Sequence, residues 1–294
     1  MPSLKEVRTR IASVNSTSQI TSAMKMVAAS KLRRAQMAIV NMRPYAQKLN
    51  EILQNVTSSL DDTDENSFGE ERPVNKVLII VITSNRGLCG AFNANVIKRT
   101  RQLLNEDFSS INKEGKVDII TIGKKATDFF SKNGYSHIAS YDDFYSDLSF
   151  DIVAPLATEI LEKFKTKEYD KVIIVYNMFK NAATQLLTAE QLLPVLPPEN
   201  LEEVTSNSNY LFQPSKGEIV DSLLPSILKT QFYKTILDSF ASEHGARMTA
   251  MQQATDNAHE MLRDLKLTYN KARQASITGE ILEIVGGAEA LKHA

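Results

Sequence analysis

Met248–Ala275 reads MTAMQQATDNAHEMLRDLKLTYNKARQA, and the rest of the chain has to be organised around it. Apolar or small residues recur at Met248, Met251, Thr255, Ala258, Leu262, Leu265, Tyr269, Ala272 and, one step further, Ser276. The steps alternate three and four without a break. That spacing holds one narrow seam on one face of a helix repeating every ~3.5 residues, as in a coiled coil. Between the seam positions lie Gln252, Asp256, Glu260, Arg263, Asp264, Lys266 and Lys271, all tolerant of solvent. No Pro or Gly interrupts the run from Arg247 to Thr278. A seam this narrow is not stable alone, so it requires a partner helix.

The N-terminal stretch supplies the obvious one. Ser3 with Glu6 three residues on forms a capping box, and Leu4, Val7, Ile11 and Val14 follow the same spacing. The apolar phase then slips through the polar Asn15–Gln19 and resumes at Ile20, Met24 and Val27, then Leu32, Ala35 and Ile39, which predicts a stutter. Pro44 is expected to bend the helix or mark a joint. Leu49, Ile52, Leu53 and Val56 restore the stripe. Met1–Ile20 carries Arg and Ser, as a presequence would. Its apolar period runs straight into the helix with no small-residue cleavage site, so none is expected.

Residues 61–73 open on an acidic, aliphatic-poor segment that reads as a linker. After Pro73 the grammar becomes strand–helix alternation. Val77–Ile82, Val117–Ile122 and Val172–Tyr176 read as buried strands, with Ile138–Tyr141 a short one between the second and third. Helices are expected over Ala91–Leu104, Lys124–Lys132 and Ile152–Phe164. Continuous apolar strands alternating with helices imply a mainly parallel, helix-covered sheet. Gln185–Leu193 adds an edge strand stopped by Pro194, Pro197 and Pro198, and Glu199–Asn209 reads as loop. The C-terminal helix is expected from near Val220, with Pro225 in its first turns and Gly245 tolerated inside it.

The fold class is therefore α/β: a long antiparallel coiled coil of the N- and C-terminal helices plus a central Rossmann-like α/β domain. The expected divisions are 1–60, 61–73, 74–209 and 210–294. Paired within one chain, the helices would form a rod with the C-terminal helix overhanging the far tip. Heptads alone do not report parallel or antiparallel pairing, so a dimeric coiled-coil scaffold or adaptor remains the alternative.

Composition removes several function classes. The 294 residues carry a net charge of −1 and a sequence pI of about 6.5, so no global basic field points to nucleic acid. Cys89 is the sole cysteine, which rules out an internal disulfide and a multi-cysteine metal site. The longest apolar run, Val77–Ile82, is far short of a membrane span. The four histidines show no metal-binding spacing, and no Ser/His/Asp set or carboxylate pair stands out. No catalytic residue, cofactor or metal is assigned.

Thr83–Gly90 (TSNRGLCG) sits between a strand and a helix, where phosphate loops occur. It lacks both the Gly-Lys-Ser/Thr ending and G-x-G-x-x-G, so it reads as a tight turn packing the sheet against a helix or the rod. Arg8, Arg10, Lys25, Lys31, Arg33 and Arg34 give the first helix a basic side, suited to solvent or to an acidic protein partner. Beyond Thr278, Ile281, Leu282, Ile284, Val285, Ala288, Ala290 and Leu291 make a tip that is apolar nearly all round. In water such a tip is a liability, so a buried bearing in another protein is the preferred reading.

Three blocks are specific enough to name a resemblance: Ile20–Ala35 (ITSAMKMVAASKLRRA), Ile82–Asn95 (ITSNRGLCGAFNAN) and Ser242–Leu291, which includes YNKARQASITGEILEIVGGAEAL. The chain closely resembles the gamma subunits of F-type ATP synthases across essentially its whole length. That resemblance implies a non-catalytic rotor shaft inside a ring of alpha and beta subunits. It couples rotation of the membrane c-ring, driven by protons, to ATP synthesis or hydrolysis at the ring. It also implies epsilon as a partner and membrane association only through partners, peripheral on the cytoplasmic side of an inner membrane. By match to the family, Arg273 and Gln274 would contact the beta catch loop. Met24, Lys25, Lys31, Arg33, Arg34 and Arg247 would lie where shaft contacts tune coupling, with Lys25, Lys31, Arg33 and Arg34 facing acidic groups of beta. Tyr210, Phe212 and Gln213 would meet the c-ring, with Gln213 standing where the family often carries an acid. The absence of a cysteine pair and of a presequence favours a bacterial form.

Overall fold

The computed structural model describes residues 3–57, 68–69, 72–145, 148–195 and 216–292. They fall into two compact units, Met1–Ala28 with Met248–Ala294, and Ala29–Arg247. Two helices, α1 (Leu4–Thr57) and α6 (Lys216–Lys292), contribute to both. The expected loop at Glu199–Asn209 and most of the expected linker lie outside the described residues.

The larger unit is built on a five-stranded sheet of order β3-β2-β1-β4-β5. The strands are β1 (Val77–Ile82), β2 (Val117–Ile122), β3 (His137–Ser140), β4 (Lys171–Phe179) and β5 (Gln185–Leu193). The first four are parallel, and β5 returns antiparallel to β4 as the edge strand. Between the strands run α2 (Phe92–Asn105), the short α3 (Ser109–Lys113), α4 (Lys124–Lys132) and α5 (Phe150–Lys165). All six residues of β1 have no solvent exposure. The reason is the two-residue period of a strand buried on both faces. Leu78, Ile80 and Ile82 pack with Val153, Leu156 and Ile160 of α5 and with Leu228, Phe232 and Ile236 of α6. Val77, Ile79 and Val81 pack with Val96 and Leu104 of α2 and Phe130 of α4.

Three expectations are corrected by this packing. The C-terminal helix begins at Lys216, so Pro225 sits in about its third turn rather than its first, and the helix continues through it. Pro44 likewise does not break α1. Residues 224–236 of α6 belong to the sheet's core and not to a two-helix seam. Gly245 is explained as well: a Cβ there would meet the carbonyl oxygen of Ala182 at 3.1 Å and its Cα at 3.3 Å. The missing side chain lets the β4–β5 turn close on the helix backbone.

The smaller unit is an antiparallel helix pair. The Arg8 guanidinium donates to the Tyr269 hydroxyl at 2.9 Å, and the Thr21 and Thr255 hydroxyls meet at 2.7 Å, so the residue numbers run in opposite directions. On α6, Met251, Thr255, Ala258 and Leu262 are buried, and Leu265, Tyr269, Ala272 and Ser276 are half-buried, matching the expected seam. On α1 the stutter does not occur. Val7, Ser18, Thr21 and Ala28 are buried, whereas Ile20 and Val27 are 57% and 58% exposed. The 3-4 spacing therefore runs on through two small hydroxyl residues. The threonine is tolerated because Thr21 has the Ser18 carbonyl at 3.1 Å and Thr255 that of Met251 at 2.8 Å, so that one hydroxyl donates to its own turn while accepting from the other. The side chains of Ile52, Leu53 and Val56 lie outside the described residues.

Two stability tests follow from these contacts. Gly123 has φ +103° and a Cβ there would lie 2.0 Å from the Thr83 carbonyl oxygen, so Gly123→Ala should destabilise the full chain by ~3 kcal/mol or more in urea unfolding. Gly279, helical with open space around it, should give a gain of ~1 kcal/mol on the same change. The continuous seam predicts that Ala28→Asp, at 1% exposure, costs ~3 kcal/mol. Val27→Asp should fall within ~0.5 kcal/mol of the parent by the same measurement. The reverse order would restore the stutter.

Candidate functional site

The Thr83–Gly90 turn shows what its sequence is for. The first amides of α4 are all taken by it: Lys124 N–H donates to Asn85 Oδ1 (2.9 Å), Lys125 to the Ser84 carbonyl (3.1 Å) and Ala126 to Thr83 Oγ1 (2.9 Å). These are the donors a phosphate would need. On the other side, Ser84 N–H donates to Asn93 Oδ1 at 2.9 Å, and Asn93 Nδ2 donates to Ser84 Oγ and Cys89 Sγ. Cys89 is buried, and burial pushes its thiol above the ordinary range. The turn fastens the strand end to two helices.

From α6 a polar cluster reaches the same turn. Arg247 is 9% exposed and forms an ion pair with Glu243 one helical turn earlier. Its Nη2 donates to the backbone carbonyls of Arg86 at 3.1 Å and Gly87 at 3.3 Å. Its Nη1 lies 3.4 Å from His244 Nδ1. That makes Nδ1 the acceptor, so the proton of the neutral ring sits on Nε2, which has no partner among the described residues. The ring stands edge-on to Phe240 at 4.5 Å, and Phe240 stacks on Tyr145, whose hydroxyl donates to the Thr83 carbonyl at 2.7 Å. Burial, with the charges of Arg247 and Lys31 behind it, lowers the His244 pKa from 6.5 to about 3. Burial raises the Glu243 carboxyl, and Arg247 pulls it back only in part. One residue of the turn, Leu88, holds a left-handed backbone (φ +64°) while 65% exposed.

The family-derived positions do not form one site. Lys31, Arg33 and Arg34 are exposed on α1 in the larger unit, and Lys31 is close enough to act electrostatically on Glu243 and His244. Arg247 belongs to the same neighbourhood but is turned inward, bound to its own chain. In the smaller unit, Met24 and Lys25 are half-buried on α1, and Arg273 and Gln274 are exposed on α6. Beyond Ser276, Ile277, Ile281, Leu282, Ile284, Val285 and Leu291 are 48–81% exposed, with no seam partner among the described residues. Tyr210, Phe212 and Gln213 lie outside the described residues. Sequence reasoning did not single out Glu243, His244, Arg86 or Leu88. The available signal was the i, i+4 spacing of Glu243 and Arg247.

Among the described residues no group of His, Cys, Asp or Glu is placed to hold a metal ion, and no helix is long and apolar enough to cross a membrane. One cavity of about 160 Å³ lies against α6, lined by Tyr176, Glu190, Gln231 and Asp238 among others. Both Glu190 oxygens are occupied, one by the Tyr176 hydroxyl (2.8 Å) and one by the Gln231 amide (2.7 Å).

The family model described as ATP synthase matches residues 3–291. The ATP synthase gamma chain of Cytophaga hutchinsonii is 54% identical over 295 residues, covering 100% of both chains. That of Flavobacterium psychrophilum is 56% identical over 293 residues, covering 99% of this chain and 100% of the relative. Among solved structures, a chain of the Euglena gracilis mitochondrial ATP synthase rotor aligns with a TM-score of 0.64 at 23% identity, over 93% of this chain and 98% of that one. A chain of the same enzyme's OSCP/F1/c-ring assembly gives 0.67, also at 23% identity, over 98% and 94%. These likenesses show the fold.

The buried histidine gives a pH test. Its lowered pKa means the folded chain binds that proton less readily than the unfolded one. The neutral ring's stabilisation is complete above pH 6.5 and is lost as pH falls toward about 3. Between pH 7 and 5.5 this residue should cost ~1 kcal/mol of unfolding free energy. His244→Phe should remove that share of the slope in urea titrations at the two pH values. Glu243, whose carboxyl burial raises, changes stability in the opposite sense, and because the parent and His244→Phe share it, the difference between their slopes reports the histidine.

Proposed function

The chain belongs to the ATP synthase gamma-chain family and is the complex's central shaft, a subunit without catalytic sites of its own; from that premise we propose which of its surfaces transmit rotation. The observation that carries the reading is the pairing of family membership across residues 3–291 with two surfaces that the chain leaves unsatisfied. One is the α6 tip, apolar and exposed from Ile277 onward. The other is the cationic side of α1: no ion pair among the described residues involves Lys25, Lys31, Arg33 or Arg34.

The α6 tip turns inside the ring of alpha and beta subunits. Arg273 and Gln274 engage a loop of beta, and the basic side of α1 meets acidic groups of beta. A shaft that contacts one beta subunit differently from the next shifts each toward a different conformation, and so toward a different nucleotide affinity. Coupling therefore requires differential contact and no chemistry by the shaft. Tyr210, Phe212 and Gln213, with the α/β domain, serve the c-ring and epsilon end. The complex is membrane-associated and this chain peripheral to it. Its place is the cytoplasmic side of a bacterial inner membrane.

The scaffold alternative is disfavoured by one contact. The Thr21–Thr255 pairing uses this part of the seam within a single chain, so a second copy would have to displace it. The deciding experiment is native mass spectrometry of the complex purified through a tag in the 61–72 segment. One copy of this chain with a threefold excess of two nucleotide-binding subunits is expected. A symmetric dimer without them would return the scaffold reading. In the assembled complex, Arg273→Ala with Gln274→Ala should lower ATP synthesis ~10-fold, the equivalent of ~1.4 kcal/mol. The thermal midpoint of the free chain should not move, since both side chains are exposed.

A further inference from the structure

The register of the helix pair fixes where α1 begins along α6. Arg8 meets Tyr269 and Thr21 meets Thr255, so Ser3 and Leu4 lie at the level of Arg273 and Gln274. Ser3 caps α1 there, its hydroxyl accepting from the Glu6 amide at 3.2 Å. On α6, Arg273 follows Tyr269 by four residues, so the two share one helix face, a turn apart. Tyr269 therefore has a guanidinium from each helix beside it. Arg8 comes across from α1, donating to the hydroxyl at 2.9 Å with its guanidinium carbon 5.8 Å from the ring centroid. The Arg8 hydrogen bond, the Arg8 charge and then the Arg273 charge pull the phenol below its ordinary pKa.

These two cations converge with no acid to balance them. α1 carries no Asp or Glu between Glu6 and Glu51, and α6 none between Asp264 and Glu280. Arg8 and Arg273 are exposed, and neither enters an ion pair among the described residues. One Nη of Arg8 is engaged by the tyrosine, and a guanidinium has five donors to give. An exposed contact of this kind contributes little to the fold, and bringing like charges together works against it. A carboxylate set between them would reverse the sign of that interaction.

We infer that Arg8 is the α1 half of the contact with beta: with Arg273 it forms a pair of guanidinium groups, one from each helix and gathered at Tyr269, that takes a carboxylate of the beta loop. This rests on the reading that Arg273 and Gln274 engage that loop. The phenol fixes Arg8 in advance, so binding has less ordering to impose, and guanidinium–carboxylate bonds are of the strong, charge-assisted class. A cation on each helix also divides the load. The push of the loop is shared by α1 and α6 at the last level before α6 continues without a seam partner among the described residues.

The test is a mutant cycle in the assembled complex, reading the rate of ATP synthesis. Arg8→Met should lower the rate about threefold, and Arg8→Lys, which keeps the charge and a donor, should recover about half of that loss. On an Arg273→Ala background, Arg8→Met should lower the rate little further, because both residues serve one carboxylate. The thermal midpoint of the free full-length chain should stay where it is in every variant. An unchanged rate in Arg8→Met overturns the inference. So do fully additive losses, which would mean that the two arginines meet different groups. A fall in the thermal midpoint that follows the loss of rate also overturns it, since Arg8 would then be no more than a clasp between the helices. If Arg273→Ala alone leaves the rate unchanged, the underlying reading fails with it. If Arg273→Ala lowers the rate and Arg8→Met does not, this inference alone is lost.

Discussion

Between Thr235 and Gly245 every side chain of α6 except the half-buried Phe240 is buried, and from Met248 onward only every third or fourth one is. One uninterrupted helix must therefore satisfy a core, then a seam, then open solvent. The rest of the chain answers that requirement. Where α6 is buried all round, apolar residues cannot suffice on every side, because the sheet's turns bring backbone carbonyls against it. The helix meets them with Arg247 for the 86–87 turn and with a missing side chain at Gly245 for the 182 turn. Where it is seam only, its polar faces need no partner, and residues such as Arg273 can be spared for another molecule.

Charge is sorted in the same way. In the α/β region two acids, Asp118 and Asp170, are used internally. Burial pushes the Asp118 carboxyl up, but bonds from Ser136, Lys76 and Tyr169 outweigh it and hold it below the usual range. Asp170 is likewise lowered by the Lys76 and Asn75 amides and by Arg72, against burial. Lys25, Lys31, Arg33 and Arg34 of α1 enter no ion pair among the described residues. An exposed ion pair would contribute ~1 kcal/mol at most, so leaving them unpaired costs the fold little and keeps them available.

The α/β domain was legible because strands buried on both faces read as apolar runs, unbroken in β1 and in Val172–Tyr176 of β4 and interrupted in β2 only by Asp118 and Thr121. The α6 seam was legible for the opposite reason, since nothing but a narrow stripe is apolar. The matching stripe on α1 was misread at Ser18 and Thr21. Both are polar by composition yet buried inside the helix pair, while Ile20 and Val27 drew the phase outward. Pattern reading assigns burial from side-chain chemistry, and a threonine whose hydroxyl bonds back to its own turn escapes it. The contacts of Arg247 within its own chain were hidden for a related reason. A charged residue's spacing says which face it lies on, and not whether its partner is an outside acid or two carbonyls of the same chain. Gly245 could only be understood once Ala182, distant in sequence, was seen against it.

Cys89 has one more consequence, for those who would watch this molecule move. It is the only thiol in the chain, it is 1% exposed, and burial keeps it protonated at neutral pH. A maleimide dye offered to the folded protein will therefore find no competing target. A single cysteine introduced on an exposed helix position becomes a clean attachment point for a fluorophore or bead, without first removing the native residue and disturbing its bond from Asn93.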